Sequence, residues 1–160
     1  MFVLGIDPGL SVTGYGLVEG SHPPRAHLAG VVRTDTEDPT PRRLAELHRG
    51  LTDVVSDTRP DVVALETVFT NRNLQTAISV GRASGVALLV AAEAGIPVFE
   101  YVPTAVKSAV TGDGSANKEQ VQQMVTRLLR LSELPQPADA ADALAIALCH
   151  LRGAPLEVGS

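Results

Sequence analysis

Cysteine occurs once in this chain, at Cys149, which leaves neither a disulfide framework nor a thiolate metal site to build on. No uninterrupted apolar run approaches the about 18 residues that a membrane helix needs. A charged-then-apolar leader with a small-residue cleavage site is missing too, so the expectation is a cytoplasmic protein with no membrane segment. Positive charge is scarce: 13 Lys and Arg face 18 Asp and Glu, and the net charge of −5 argues against indiscriminate nucleic-acid binding. The deficit is uneven, since residues 1–66 hold 6 basic and 10 acidic side chains while residues 67–133 hold 6 and 5. The four histidines show no ligand spacing, and His150 lies about two turns beyond Asp142, too far to share a metal with it. There is no internal repeat and no low-complexity segment. What is present is apolar bulk, 44% of 160 residues, enough for one core and too little for two. We expect a single domain over residues 1–152 with a flexible tail over 153–160.

The chain is organised around its beginning. Phe2, Val3, Leu4 and Ile6 read as a buried strand that delivers one carboxylate, Asp7, and is cut at once by Pro8-Gly9. Thr13 to Val18 reads as a second strand, in which the glycines let the two strand backbones lie close. On these residues alone, a hairpin carrying a surface Asp is an equal reading. Arg25 to Thr34 supplies a third strand, giving an antiparallel meander. After a polar loop from Asp35 to Pro41, Leu44, Leu47, Leu51, Val54 and Val55 recur at helical spacing. Val62 to Glu66 is a short apolar strand that again ends in an acid, and a strand reached through a helix is expected to run parallel to the first.

A long small-residue helix follows from Asn73 to about Ala94, with Gly81 and Gly85 on one face. Ile96 to Val102 reads as the fifth strand, with Phe99 and Tyr101 on one side and Val98 and Glu100 on the other. A short helix over Pro103 to Val110 and a loop from Thr111 to Ala116 lead to a patterned helix at Asn117, where Asn117 and Gln120 have capping-box spacing. The last helix, Ala138 to Leu151, is rich in alanine.

Four acids converge in this reading. Asp7 and Glu66 end strands argued to be parallel, about 4.8 Å apart if adjacent, and Asp139 and Asp142 lie three apart on one face of the last helix. Four carboxylates in one place need cations. Hard oxygen ligands select Mg²⁺ or Mn²⁺, and two such ions about 3.5–4 Å apart hold the attacking and leaving oxygens of a phosphodiester in line. Taken alone, Asp139 and Asp142 have another use in complementing the helix dipole.

The stretches Gly5-Ile6-Asp7-Pro8-Gly9, Glu66-Thr67-Val68-Phe69, Gly112 to Lys118 and Ala138 to Ala145, in this order and at these separations, resemble the RuvC family of Holliday junction resolvases. The resemblance runs from Met1 to about Leu151. It implies an α/β, ribonuclease H-like fold, with a five-stranded mixed sheet flanked by helices, and a homodimer that nicks two opposed strands of a four-way DNA junction. The implied cofactors are two Mg²⁺ or Mn²⁺ ions per active site, held by Asp7, Glu66, Asp139 and Asp142, and the implied partners include the RuvA and RuvB branch-migration proteins. Phe69, in no strand pattern, occupies the family position that stacks on a base near the scissile step, although Val68 beside it offers a local packing role. Lys107 and Lys118, the only lysines, fall near the scissile phosphate in the family; a solvated surface is the plainer alternative for both. Lys118 also begins a helix after a Gly-rich loop, where backbone N–H groups favour an anion. Asn71, Arg72, Asn73 and Arg82 suit backbone phosphates, which position DNA without reading it.

Two divalent ions would bring the net charge of −5 to about −1, so metal is expected to matter for DNA binding as well as for cleavage. An actin-like ATPase shares the first motif but needs a duplicated fold, for which 160 residues leave no room. A metal-free junction-binding scaffold is disfavoured by the intact set of acids. The remaining alternative is a related nuclease acting on structured RNA. For the dimer, Ala77, Gly81, Ser84, Gly85 and Leu88 form a small, mostly uncharged stripe suited to a symmetry mate, unless that stripe lies on the protein's own sheet.

Overall fold

A computed structural model describes residues 1–67 and 73–153. Its elements in chain order are β1 (Phe2–Asp7), β2 (Val12–Glu19), β3 (Arg25–Arg33), α1 (Thr40–Thr58), β4 (Val62–Glu66), α2 (Leu74–Glu93), β5 (Val98–Tyr101), α3 (Pro103–Thr111), α4 (Lys118–Leu128) and α5 (Ala138–Leu151). The strands form one sheet in the order β3-β2-β1-β4-β5. The first three are antiparallel, while β4 runs parallel to β1 and β5 parallel to β4, so the sheet is mixed as expected.

Side-chain alternation divides the interior in two. From β1, Leu4 and Ile6 join Leu47, Leu51 and Ala87 in a core beneath α1 and α2, whereas Val3 joins Leu144, Ile146 and Val125 in a core beneath α4 and α5. Asp7 shares the parity of Val3 and Gly5 and therefore faces α5. The same rule applies on β4, where Val63 and Leu65 face α1 and α2 while Ala64, and by parity Glu66, face α5. On β5, Tyr101 and Phe99 lie on the α5 side and Val98 on the other, as the alternation predicts.

The glycines have a different role from the expected one. They admit the helix above the sheet: a Cβ added at Gly5 would lie 1.9 Å from the Ala143 carbonyl oxygen, one at Gly14 2.0 Å from that of Asp139, and one at Gly16 2.7 Å from the Leu144 side chain. Gly5 and Gly16 are direct partners across β1 and β2, so together they make a floor without side chains on which the α5 backbone rests.

Two boundaries differ from expectation. Helix α1 starts at Thr40 instead of after a loop ending at Pro41, because Pro41 occupies its first turn, where a missing N–H costs nothing. Strand β5 is shorter, because the Ile96 N–H is used by the Ala91 carbonyl and Val102 already caps the Pro-led α3. The Asn117–Gln120 capping box forms in both directions. Phe69, Asn71 and Arg72, and the tail from residue 154, lie outside the described residues.

Gly5→Ala and Gly14→Ala are expected to cost about 3 kcal/mol or more, since in each the new methyl meets helix backbone that cannot step aside. Gly81→Ala, whose methyl meets nothing within 4 Å in the single protomer, should instead gain about 0.5–1 kcal/mol in the helix of a monomeric protein. Urea unfolding of the three variants measures both.

Candidate active site

The ends of β1 and β4 and the start of α5 meet at one edge of the sheet. Ile6 pairs with Leu65, which sets Asp7 and Glu66 side by side at the two strand ends. Over them α5 starts after the Pro135–Pro137 break, and its backbone seats on Gly14 at Asp139 itself, so the acids of the helix are delivered onto those of the strands. One carboxylate oxygen from each of Asp7, Asp139 and Asp142 lies within 4.8 Å of the others. Glu66 lines the same cleft, about 440 Å³ in volume, together with Lys107 and Lys118.

Like charges this close cannot all ionise in a partly dry site. Burial first, then repulsion from Glu66, Asp142 and Asp139, pushes the Asp7 carboxyl up to about 8, against a small opposing pull from Lys118. Asp142 is also raised, chiefly by burial, although Lys118 and a hydrogen bond from Asp7 draw it down. Lys118 Nζ lies 3.1 Å from Asp142 Oδ2. Desolvation weakens the Lys118 ammonium, yet Asp142, Asp139 and Asp7 outweigh it and hold its pKa above the ordinary lysine value. Asp142 thus rises despite its ion pair because burial and Asp139 act in addition to the lysine. The Lys118 side chain is 61% exposed, so this pair is a weak, movable tether rather than a buried lock.

The donor set suits a hard divalent cation. It consists of carboxylate oxygens only, convergent, and strained by mutual repulsion that a cation relieves.

Other expected site residues stand in different places. Lys107 lies on α3 at the cleft, half-buried. Asn73 caps α2, its side chain accepting from the Gln75 N–H at 2.9 Å, so its first role is to start that helix. Arg82 is exposed on α2 and does not line the cleft. The Gly112–Ala116 loop folds on Asp113, whose Oδ1 accepts from the Ser115 N–H at 2.8 Å and hydroxyl at 2.7 Å. His150 is withdrawn from the acids and hydrogen-bonds the Tyr101 hydroxyl at 2.6 Å. Sequence reasoning missed Val12 and Thr67, which line the cleft. Thr67 directly follows Glu66, which was the available signal for it; Val12, five residues beyond Asp7 at the start of β2, carried none.

A mixed sheet of this order, with acids at the ends of its first and fourth strands and at the head of a closing helix, defines a ribonuclease H-like nuclease. The model for the family described as crossover junction endodeoxyribonuclease RuvC matches residues 3–150, and the chain belongs to that family. It is 56% identical over 153 residues to the crossover junction endodeoxyribonuclease RuvC of Salinispora arenicola, covering 94% of this chain and 87% of the relative. Among solved structures, Thermus thermophilus RuvC superposes with a TM-score of 0.87 at 42% identity, covering 95% of this chain and 94% of that one. The same protein in complex with a Holliday junction substrate gives 0.86 at 40%, covering 95% and 93%.

Because the Asp7 pKa is raised on folding, its contribution to stability is full below the ordinary carboxylate range and is lost as pH rises toward about 8. Metal-free protein should therefore melt lower at pH 8.5 than at pH 6. Asp7→Asn should flatten that slope and raise the high-pH melting temperature, by about 2–4 °C for each kcal/mol of repulsion relieved. Differential scanning calorimetry in a chelating buffer checks both.

Proposed function

We propose that this chain resolves four-way DNA junctions, hydrolysing one phosphodiester in each of two opposed strands, with Asp7, Glu66, Asp139 and Asp142 holding two Mg²⁺ or Mn²⁺ ions. The observation that carries this reading is the convergence of the carboxylates at one cleft, in a chain of the RuvC family whose Thermus thermophilus relative has been solved on a Holliday junction. When bound, divalent ions supply the charge that a phosphodiester needs in order to approach four acids, and a water acidic enough to attack at neutral pH.

The chain's own residues do the rest. Asp7 and Glu66 are fixed by strand ends, and Asp139 and Asp142 by a helix pressed on glycine, so the ligand geometry exists before any substrate arrives. Lys118, tethered to Asp142 but mostly exposed, is placed to turn toward a phosphate oxygen, and Lys107 faces the same cleft from α3. We assign DNA contacts to Phe69, Asn71, Arg72, Asn73 and Arg82 as well, the first as a stacking residue and the others as phosphate contacts. The junction complex of the Thermus relative favours DNA over structured RNA as the substrate.

Two symmetric cuts call for a two-fold pair of sites, and α2 offers the face for it. It packs on its own sheet through Ala83, Ala87, Val90 and Ala91, so the stripe with Gly81 and Gly85 points away. Leu74, Ile78, Leu88 and Leu89 beside it are 38% to 74% exposed. Helix α2 is long and apolar enough to cross a membrane, but its face buried in the core and its glycine stripe fit a homodimer better. Family membership supports RuvA and RuvB as partners, and a cytoplasmic location.

Each of Asp7→Asn, Glu66→Gln, Asp139→Asn and Asp142→Asn is expected to lower cleavage of a synthetic four-way DNA junction by about three orders of magnitude or more while junction binding survives. Chelation of divalent ions should stop the parent protein outright, and an RNA junction of the same sequence should be cut poorly or not at all. Parent-level cleavage by any of these variants removes that acid from the site. Gly85→Arg should yield a folded monomer in sedimentation that makes single, unpaired nicks; a dimer of unchanged stability would move the interface elsewhere.

A further inference from the structure

Among the described residues, the buried polar side chains are Thr13 and Thr34, and both serve one turn. Thr13 Oγ1 donates to the Gly9 carbonyl at 2.6 Å and accepts from the Gly9 N–H at 3.2 Å. Thr34 Oγ1 donates to the Leu10 carbonyl at 2.6 Å, and the Thr34 N–H donates to the Ser11 carbonyl at 3.1 Å. Arg43, in the first turns of α1, completes the set: its Nε donates to Thr34 Oγ1 at 3.1 Å and its Nη2 to Ser11 Oγ at 2.8 Å. The turn so held, Pro8 to Ser11, begins at the residue after Asp7, and Pro8 and Gly9 line the acidic cleft.

The two kinds of bond do different things. Thr13 is four residues from Gly9, and its bonds shape the turn without placing it. Those of Thr34 and Arg43 span 24 and 32 residues, tying the turn to the edge strand and to the helix behind the sheet. Placement matters here because a carboxylate oxygen of Asp7 lies within 4.8 Å of one from Asp139 and one from Asp142, and Glu66 lines the same cleft, so like charges press on the strand end that Asp7 occupies. The turn also has no slack of its own, since a Cβ at Gly9 would lie 2.3 Å from the Val12 carbonyl oxygen.

We infer that Thr34 and Arg43 are positioning residues that brace the Pro8–Ser11 turn from outside the cleft and so hold Asp7 in register with Asp139 and Asp142 for cation binding. This rests on the reading of Asp7 as a metal ligand. Neither residue touches substrate or metal; each acts through the turn, in the way outer partners orient metal-binding carboxylates.

Calorimetric titration of the DNA-free protein with Mn²⁺ tests the brace. Arg43→Ala and Thr34→Val should weaken Mn²⁺ binding about tenfold, the lower end for partners of metal ligands, while Thr34→Ser, which keeps the hydroxyl, stays within about twofold of the parent. Junction cleavage by Arg43→Ala should return toward the parent rate as Mn²⁺ is raised, showing a loss of metal affinity rather than of turnover. Parent-like Mn²⁺ affinity in Arg43→Ala and Thr34→Val overturns the inference. It does so both when melting temperature alone has fallen and when junction affinity alone has fallen, the second marking Arg43 as a phosphate contact. If Arg43→Ala does not fold, Ser11→Ala removes only the exposed end of the tie and is read by the same criteria. Asp7→Asn separates the two claims: parent-like Mn²⁺ binding there strikes the metal-ligand assignment, whereas its loss beside a parent-like Arg43→Ala strikes only the brace.

Discussion

The contact on which the structure depends is the seat of α5 on the glycines of β1 and β2. A helix packed on an ordinary sheet stands off by the thickness of two layers of side chains, and its acids would hang above the strand ends. At Gly5, Gly14 and Gly16 one of those layers is missing, and the helix backbone occupies the space. The resulting precision comes from hard-sphere contact, which tolerates little displacement, rather than from hydrogen bonds, which tolerate more. The alanine-rich composition of α5, buried at nine of the ten positions from Ala140 to Cys149, all but Asp142, is the complementary half of the same fit.

This rigidity lets the protein hold a configuration that electrostatics opposes. Four acids share one cleft, and Asp7 answers by keeping its proton to about pH 8. An apo site that resists ionisation and a loaded site that requires it are two states of one scaffold, linked by cation binding. The remote ties from Thr34 and Arg43 to the turn after Asp7 belong to the same economy of strain, since they act where the repulsion is applied.

Much of this was legible in the sequence because it rests on local rules. Apolar runs ending in Asp7 and Glu66, the i,i+3 spacing of Asp139 and Asp142, and the Asn117–Gln120 box each depend on a few neighbouring residues, and each forms as read. The motifs that resemble the RuvC family placed the fold and the acids together. What sequence could not show were matters of distance across the fold. The glycines signalled a close approach and were read as letting the two strands lie together, whereas the partner proved to be a helix more than 120 residues downstream. Thr34 and Arg43 carried no signal at all, because a threonine at a strand end and an arginine in an amphipathic helix are ordinary until the turn appears beside them. Similarly, Asn73 read as a phosphate contact on composition, and its capping bond to Gln75 became visible only with the helix start.

The ion pair between Lys118 and Asp142 has a consequence for occupancy. An ammonium on a four-carbon leash is a cation that cannot diffuse away, so Asp142 keeps a counter-charge beside it at high effective concentration, although the lysine is mostly exposed. A cation held through Asp142 Oδ2 would compete with the ammonium for it.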